Sequence, residues 1–128
     1  MSSSRAVVWL DHQDAQFLTL QEDGHSSTHL KAHPHNTRQH ASGVRTEHEF
    51  FGAVCSAING GVEALVVGSH TVLADLKHYI EKHSPVTEKQ IVGWQPSEHL
   101  SDRQLAAMGR KFFDAHDRMA GRAAGVVQ

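Results

Sequence analysis

The sequence is poor in the features that cross-link a chain or anchor it to a membrane. Cys55 is the only cysteine, so an internal disulfide is excluded, and a lone thiol is typical of a reducing compartment. No stretch approaches the ~18 apolar residues needed to span a bilayer, and residues 1–5 lack the apolar core of a secretory signal. We therefore expect a cytoplasmic protein without a membrane partner.

The chain also lacks an excess of charge of one sign. Its 12 Lys and Arg and 14 Asp and Glu residues give a net charge of −2 with histidine neutral. Such a balance provides no field to hold a polyanion such as RNA, which disfavours a purely electrostatic nucleic-acid binder. The unusual feature is the 12 histidines, which make the charge sensitive to pH just below neutrality.

The length predicts one domain. A chain of 128 residues buries roughly two thirds of its unfolded surface in one core, so it needs no disulfide or metal to fold. We expect a single domain over 1–128, with its core at about 5–119 and a frayed tail at 121–128. These features do not specify an oligomeric state.

The first part of the chain is typical of strands. Apolar, β-rich residues at 5–10 and 15–20 flank a polar turn at 11–14, which predicts a hairpin. Residues 28–33 alternate, with Leu30 and Ala32 on one face, so a third strand is expected to extend the hairpin to a meander.

A polar stretch at 34–45 separates these strands from the first helix and predicts an exposed loop. Thr46 and Glu49 then have the spacing of a capping box, which predicts that the helix begins there. Its apolar stripe comprises Phe50, Phe51, Val54, Cys55 and Ile58, and Asn59 with the glycines that follow ends it.

The second half alternates strands with helices. Residues 62–67 are almost all apolar, as in a strand covered on both faces, and 90–94 supply a last strand. The helix between them is broken at Ser84 and Pro85, and Ser101 with Gln104 offers a further capping box. The helical stripes expected to face the core are Val72, Leu73, Leu76, Tyr79 and Ile80, then Leu105, Met108, Phe112, Phe113 and Met119. This order predicts a three-layer α/β/α sandwich with a mixed sheet, in which β-α units follow the N-terminal hairpin or meander.

Several phrases carry a family resemblance across about residues 5–119. They are Val7-Val-Trp-Leu-Asp-His12, the histidine-rich strand and loop, His48-Glu-Phe-Phe51, Leu65-Val-Val-Gly68, Tyr79-Ile-Glu-Lys-His83, Ile91-Val-Gly93, Ser101-Asp-Arg-Gln-Leu105 and Arg110-Lys-Phe-Phe113. The chain resembles a bacterial family of translational machinery proteins, which is itself similar to the C-terminal domain of Pelota and of the archaeal and eukaryotic peptide-chain release factors.

The resemblance implies a docking role in translation. In the full-length relatives this domain docks a translational GTPase, while a separate domain with a Gly-Gly-Gln motif releases the peptide. That motif is absent, because Gly60 and Gly61 are followed by Val62. We therefore expect a non-enzymatic module whose partner is a ribosomal component, a translational GTPase or RNA.

The histidine-rich segment allows two interpretations. As an exposed surface for an acidic partner, it would act through His29, Lys31, His33, His35 and His40. As a metal site of the zinc type, it would use His33, His35, His40 and His48. His29 and His33 do not share an ion, because residues four apart on a strand are ~13 Å apart.

Other polar groups have simpler interpretations. Asp11, His12 and Asp14 have no adjacent nucleophile and are expected to form the hairpin turn. Gly68 and Ser69 lack the Walker lysine and are expected to be a strand-to-helix turn. Cys55 is expected to be an unreactive core thiol. No enzyme activity and no cofactor other than possible zinc are predicted.

Overall fold

The structure is a computed structural model that describes residues 4–21, 23–32, 42–59 and 62–123. In these residues the chain forms a five-stranded mixed sheet with helices packed on it. The strands are β1 (Ser4–Leu10), β2 (Asp14–Gln21), β3 (Gly24–Lys31), β4 (Val62–Gly68) and β5 (Ile91–Pro96). The helices are α1 (Ser42–Ile58), α2 (His70–His83), α3 (Pro85–Glu88) and α4 (Asp102–Ala123).

The sheet order is β3-β2-β1-β4-β5. The first three strands form the predicted antiparallel meander, and β4 and β5 join β1 as parallel strands. Parallel neighbours need a crossover, which α1 and α2 supply on one face of the sheet. On β4, the four residues from Ala64 to Val67 are fully buried, as expected for a central strand covered on both sides.

Two apolar clusters fill the two faces of the sheet. The first joins Val8 and Val66 to the buried stripes of α1 and α2, and the second joins Val7 and Leu65 to α4. Because successive residues of a strand point to opposite faces, neighbours in β1 and β4 enter different clusters. The predicted three-layer α/β/α sandwich is confirmed.

Helix α1 begins earlier than predicted. The capping-box interpretation put Thr46 at the helix start, but α1 already begins at Ser42, inside the stretch 34–45 predicted as a loop. The change from polar to apolar residues marks only where this helix contacts the core. The helix begins before that contact, so its start was predicted too late. Residues 34–41 of the predicted loop lie outside the described residues.

Helix α4 differs from the prediction at its C-terminal end. Its capping box is confirmed, because the amide of Gln104 donates to the Ser101 hydroxyl (3.2 Å) and the amide of Ser101 donates to Oε1 of Gln104 (2.9 Å). Met119 was predicted to face inward, but it is 64% exposed. Six residues beyond buried Phe113, it lies about 120° around the helix from the buried stripe. The helix extends to Ala123, and residues 124–128 lie outside the described residues.

Candidate functional site

A groove between α1 and α2 is the candidate site. It encloses about 270 Å³, and titratable or aromatic side chains from both helices line it. The lining residues are Glu47, His48, Phe51, Asp75, His78, Tyr79, Lys82 and His83. The α2 members recur at three- and four-residue spacing, so they form a polar stripe beside the helix's buried stripe.

Tyr79 is at the centre of an aromatic and imidazole cluster in this groove. Its ring centroid lies 4.8 Å from that of His83, 5.6 Å from that of His48 and 5.8 Å from that of Phe51. Burial raises the pKa of the Tyr79 phenol, with a smaller contribution from Cys55, so the hydroxyl stays protonated near neutral pH. The groove therefore offers imidazoles and one hydroxyl donor on a partly apolar floor.

His12, in the β1–β2 turn, lies beside two residues that line the groove, Glu47 and Asp75. Its Nε2 lies 2.8 Å from Oδ2 of Asp75 and 4.0 Å from Oε2 of Glu47. These three ligand-type atoms all lie within 4.8 Å of one another. The turn that carries His12 is fixed by Asp11, whose Oδ1 accepts from the amides of Gln13 and Asp14 at 2.7 Å.

The turn prediction for Asp11, His12 and Asp14 is therefore confirmed, because residues 11–13 connect β1 to β2 and the Asp14 amide donates to Asp11. The side chain of His12 pairs with Asp75 on α2. Sequence reasoning missed Asp75, because its partner is 63 positions away. The sequence signal for Asp75 is its place in the polar stripe of α2, which lies beside the apolar stripe of the same helix.

The predicted site residues are divided among different places. His29 and Lys31 are exposed on β3, opposite Gln16 and Asp14 of β2. His48 lies in the groove, where its ring centroid is 5.5 Å from that of His83. His33, His35 and His40 lie outside the described residues, so both histidine-based predictions remain predictions.

Two further sequence expectations are confirmed. Cys55 is 3% exposed, and burial raises the pKa of its thiol against the opposing hydrogen bonds of Thr87 and Ser84. Ser69 caps α2, because its hydroxyl accepts from the amide of Val72 at 3.2 Å. A Cβ at Gly68 would lie 2.6 Å from the carbonyl oxygen of Leu10, which accounts for glycine at this turn.

No helix in the described part of the chain is both long and apolar enough to cross a membrane.

The comparisons with known proteins rest on structure. No protein-family model matches the sequence, and no curated protein matches it. Pelota from Archaeoglobus fulgidus is similar in structure, with a TM-score of 0.58 and 15% identity over 98% of this chain and 41% of Pelota. The archaeal translation termination factor aRF1 is similar with a TM-score of 0.56 and 14% identity, over 95% of this chain and 41% of aRF1.

These likenesses concern the fold, and this chain spans less than half the length of either protein. They confirm the predicted structural resemblance to Pelota and to an archaeal release factor. Membership of the bacterial family of translational machinery proteins stays a prediction.

Proposed function

We propose that this chain is a non-catalytic binding module of the translation apparatus, which docks a ribosomal component, a translational GTPase or RNA in the cytoplasm. The main support is the structural likeness to Pelota and to the translation termination factor aRF1, which extends over at least 95% of this chain. A likeness of this extent leaves little room for an added catalytic domain within the chain.

The chemistry of the groove gives docking more support than catalysis. None of its eight lining residues is Ser, Thr or Cys, and the single thiol of the chain is buried with a raised pKa. Imidazoles and carboxylates without an adjacent nucleophile suit hydrogen bonding to a partner more than covalent catalysis.

The docking surface that we propose is the outward face of β3 and the segment after it, which comprises His29, Lys31, His33, His35 and His40. β3 forms one edge of the sheet. His29 and Lys31 lie on the same face of the strand, and both are exposed. A lysine ammonium beside an imidazole at a sheet edge suits an acidic partner surface.

Ribosome co-sedimentation with the full chain tests this role, followed by capture of identified translation components from native lysate. We expect enrichment that falls at least about tenfold in the double variant His29→Ala, Lys31→Glu, because reversing an interface charge opposes association. Thr28→Ala is the matched control, since Thr28 is exposed on the other face of the same strand. Absence of every translation component, or equal retention by the double variant, contradicts the proposal.

Ribonuclease treatment and a salt series separate RNA from protein partners. Binding through phosphates weakens steeply between 50 and 200 mM salt and is lost with ribonuclease. Because the net charge is −2, we expect the capture of a protein component that survives ribonuclease and has a shallow salt dependence.

A further inference from the structure

The convergence of His12, Glu47 and Asp75 points to a chemistry separate from the docking surface. We propose that these three side chains form a binding site for one zinc ion beside the groove between α1 and α2. The site differs from the histidine set predicted from the sequence, because its ligands come from three elements that are far apart in the chain.

The distances suit a single ion. Zinc binds imidazole nitrogen at about 2.0–2.1 Å and carboxylate oxygen at about 2.0–2.2 Å, so tetrahedral ligand atoms lie about 3.4 Å apart. Nε2 of His12 lies 2.8 Å from the Asp75 oxygen and 4.0 Å from the Glu47 oxygen, on either side of that value. All three ligand atoms lie within 4.8 Å of one another, so side-chain movements of up to about 1.5 Å bring them to the required spacing.

The backbone beneath each ligand is held in place by buried neighbours. His12 follows buried Leu10 in a turn fixed by Asp11, and Asp75 precedes buried Leu76 in α2. Glu47 lies one turn before buried Phe51 in α1. Because the three Cα positions are set by packing, binding an ion orders only side chains, which lowers its entropic cost.

The charge and exposure also suit an ion. One neutral imidazole and two carboxylates offset the charge of a divalent cation and give the mixed nitrogen and oxygen set that zinc accepts. The side chains of His12, Glu47 and Asp75 are 40%, 37% and 46% exposed, so an ion can enter without any opening of the helices. Three protein ligands leave a fourth tetrahedral position that water would fill.

Calorimetric titration of zinc chloride into the untagged full chain at pH 7.5 tests the site. We expect one equivalent to bind, and we expect its affinity to fall by more than about tenfold in each of His12→Gln, Glu47→Gln and Asp75→Asn, since loss of even outer-shell support costs that much. Zinc is expected to raise the Tm of the wild type and to raise that of the variants much less.

Two exposed residues outside the site provide matched controls. Glu81→Gln changes a carboxylate on the same helix as Asp75, and His25→Gln changes an imidazole on β3. Both are expected to keep wild-type zinc affinity, and circular dichroism without zinc checks that all five variants are folded. Absence of saturable zinc binding by the wild type, or zinc binding that survives all three ligand substitutions, overturns the proposal. Binding through His33, His35, His40 and His48 would produce the latter result. The docking role is tested by different variants and stands independently.

Discussion

The two faces of the sheet are covered in different ways. On one face, the single helix α4 lies so close to β1 that a Cβ at Gly109 would be 2.1 Å from Cγ2 of Val7. On the other face, α1 and α2 share the coverage and leave between them a groove lined by histidines and carboxylates. Close packing of one helix therefore leaves little space on its face, whereas the seam between two helices leaves room for a site.

An ion-pair network closes the end of the α4 face. Arg5 on β1 donates to Glu63 of β4 at 3.0 Å and to Asp117 of α4 at 2.7 Å, and its guanidinium lies 5.0 Å from the centre of the Phe113 ring. The hydrogen bonds from Arg5 hold the pKa of the Asp117 carboxyl below its usual range. This end of the molecule is thus fixed by polar contacts that link three elements.

The largest expected effect on stability comes from substitutions in the core. These substitutions also test whether the two faces form one cooperative core. Phe51 and Phe113 are 1% and 2% exposed, one on each face. We expect Phe51→Ala and Phe113→Ala each to lower the free energy of unfolding by about 3–5 kcal/mol, because each leaves a cavity. Urea unfolding, followed by tryptophan fluorescence and circular dichroism, measures this loss of free energy. One transition is expected with both probes.

If either alanine variant fails to fold, Phe51→Leu and Phe113→Leu provide milder substitutions in the same two sites. Separate transitions for the two faces would show that they are independent units and would contradict a single cooperative core.

Two helix-interior glycines test the difference in packing directly. A Cβ at Gly109 would overlap Val7, which is fully buried in the sheet, whereas a Cβ at Gly52 would lie 3.1 Å from the Tyr79 hydroxyl at the tip of a half-buried side chain. We expect Gly109→Ala to lower the free energy of unfolding by about 1–3 kcal/mol, because the added methyl group overpacks the core. Gly52→Ala is expected to be neutral or stabilising by up to about 1 kcal/mol, because alanine favours the helix.

Thermal and urea unfolding of the two variants side by side measures this difference. Equal effects of the two substitutions would mean that the faces do not differ in their tolerance of added volume.

The ion-pair network of Arg5 is expected to contribute less to the free energy of unfolding than the buried phenylalanines do. Arg5→Ala removes the cation–π contact and the ion pairs, so we expect a loss of about 1–2 kcal/mol in the free energy of unfolding. Arg118→Ala is the control, since Arg118 pairs with Asp114 on the exposed surface of α4, a type of pair that contributes about 0.3–0.5 kcal/mol. Urea unfolding of both variants decides it, and equal losses would show that Arg5 contributes no more than an ordinary surface pair.

The smallest expected effect is a pH dependence of the free energy of unfolding. It comes from Cys55, which is buried on the face covered by α1 and α2. Burial raises the thiol pKa in the folded state, so its contribution to stability is fully present below the unfolded pKa of about 8.5 and is lost as pH rises through the folded pKa. The stability of the wild type relative to Cys55→Ala is therefore expected to fall between pH 7.5 and 9.5. Urea unfolding with a reductant measures this, and a constant difference would mean that the thiol titrates alike in both states.

Patterns within single elements predicted most of the fold. The alternation in the meander, the buried stripe of α1 from Phe50 to Ile58 and the continuous apolar run of β4 are all confirmed. The errors lie at the ends of elements, at Thr46 and Met119, where the helices extend beyond the part that contacts the sheet. The short helix α3 was missed, because four residues carry no periodic signal.

The amino-acid sequence by itself determined most of the buried stripes and the order of the longer strands and helices, because hydrophobic periodicity is a local property of each segment. The tertiary structure alone decided the candidate site. His12, Glu47 and Asp75 have no mutual spacing that a sequence pattern can detect, and they meet only because the β1–β2 turn, α1 and α2 pack against one face of the same sheet.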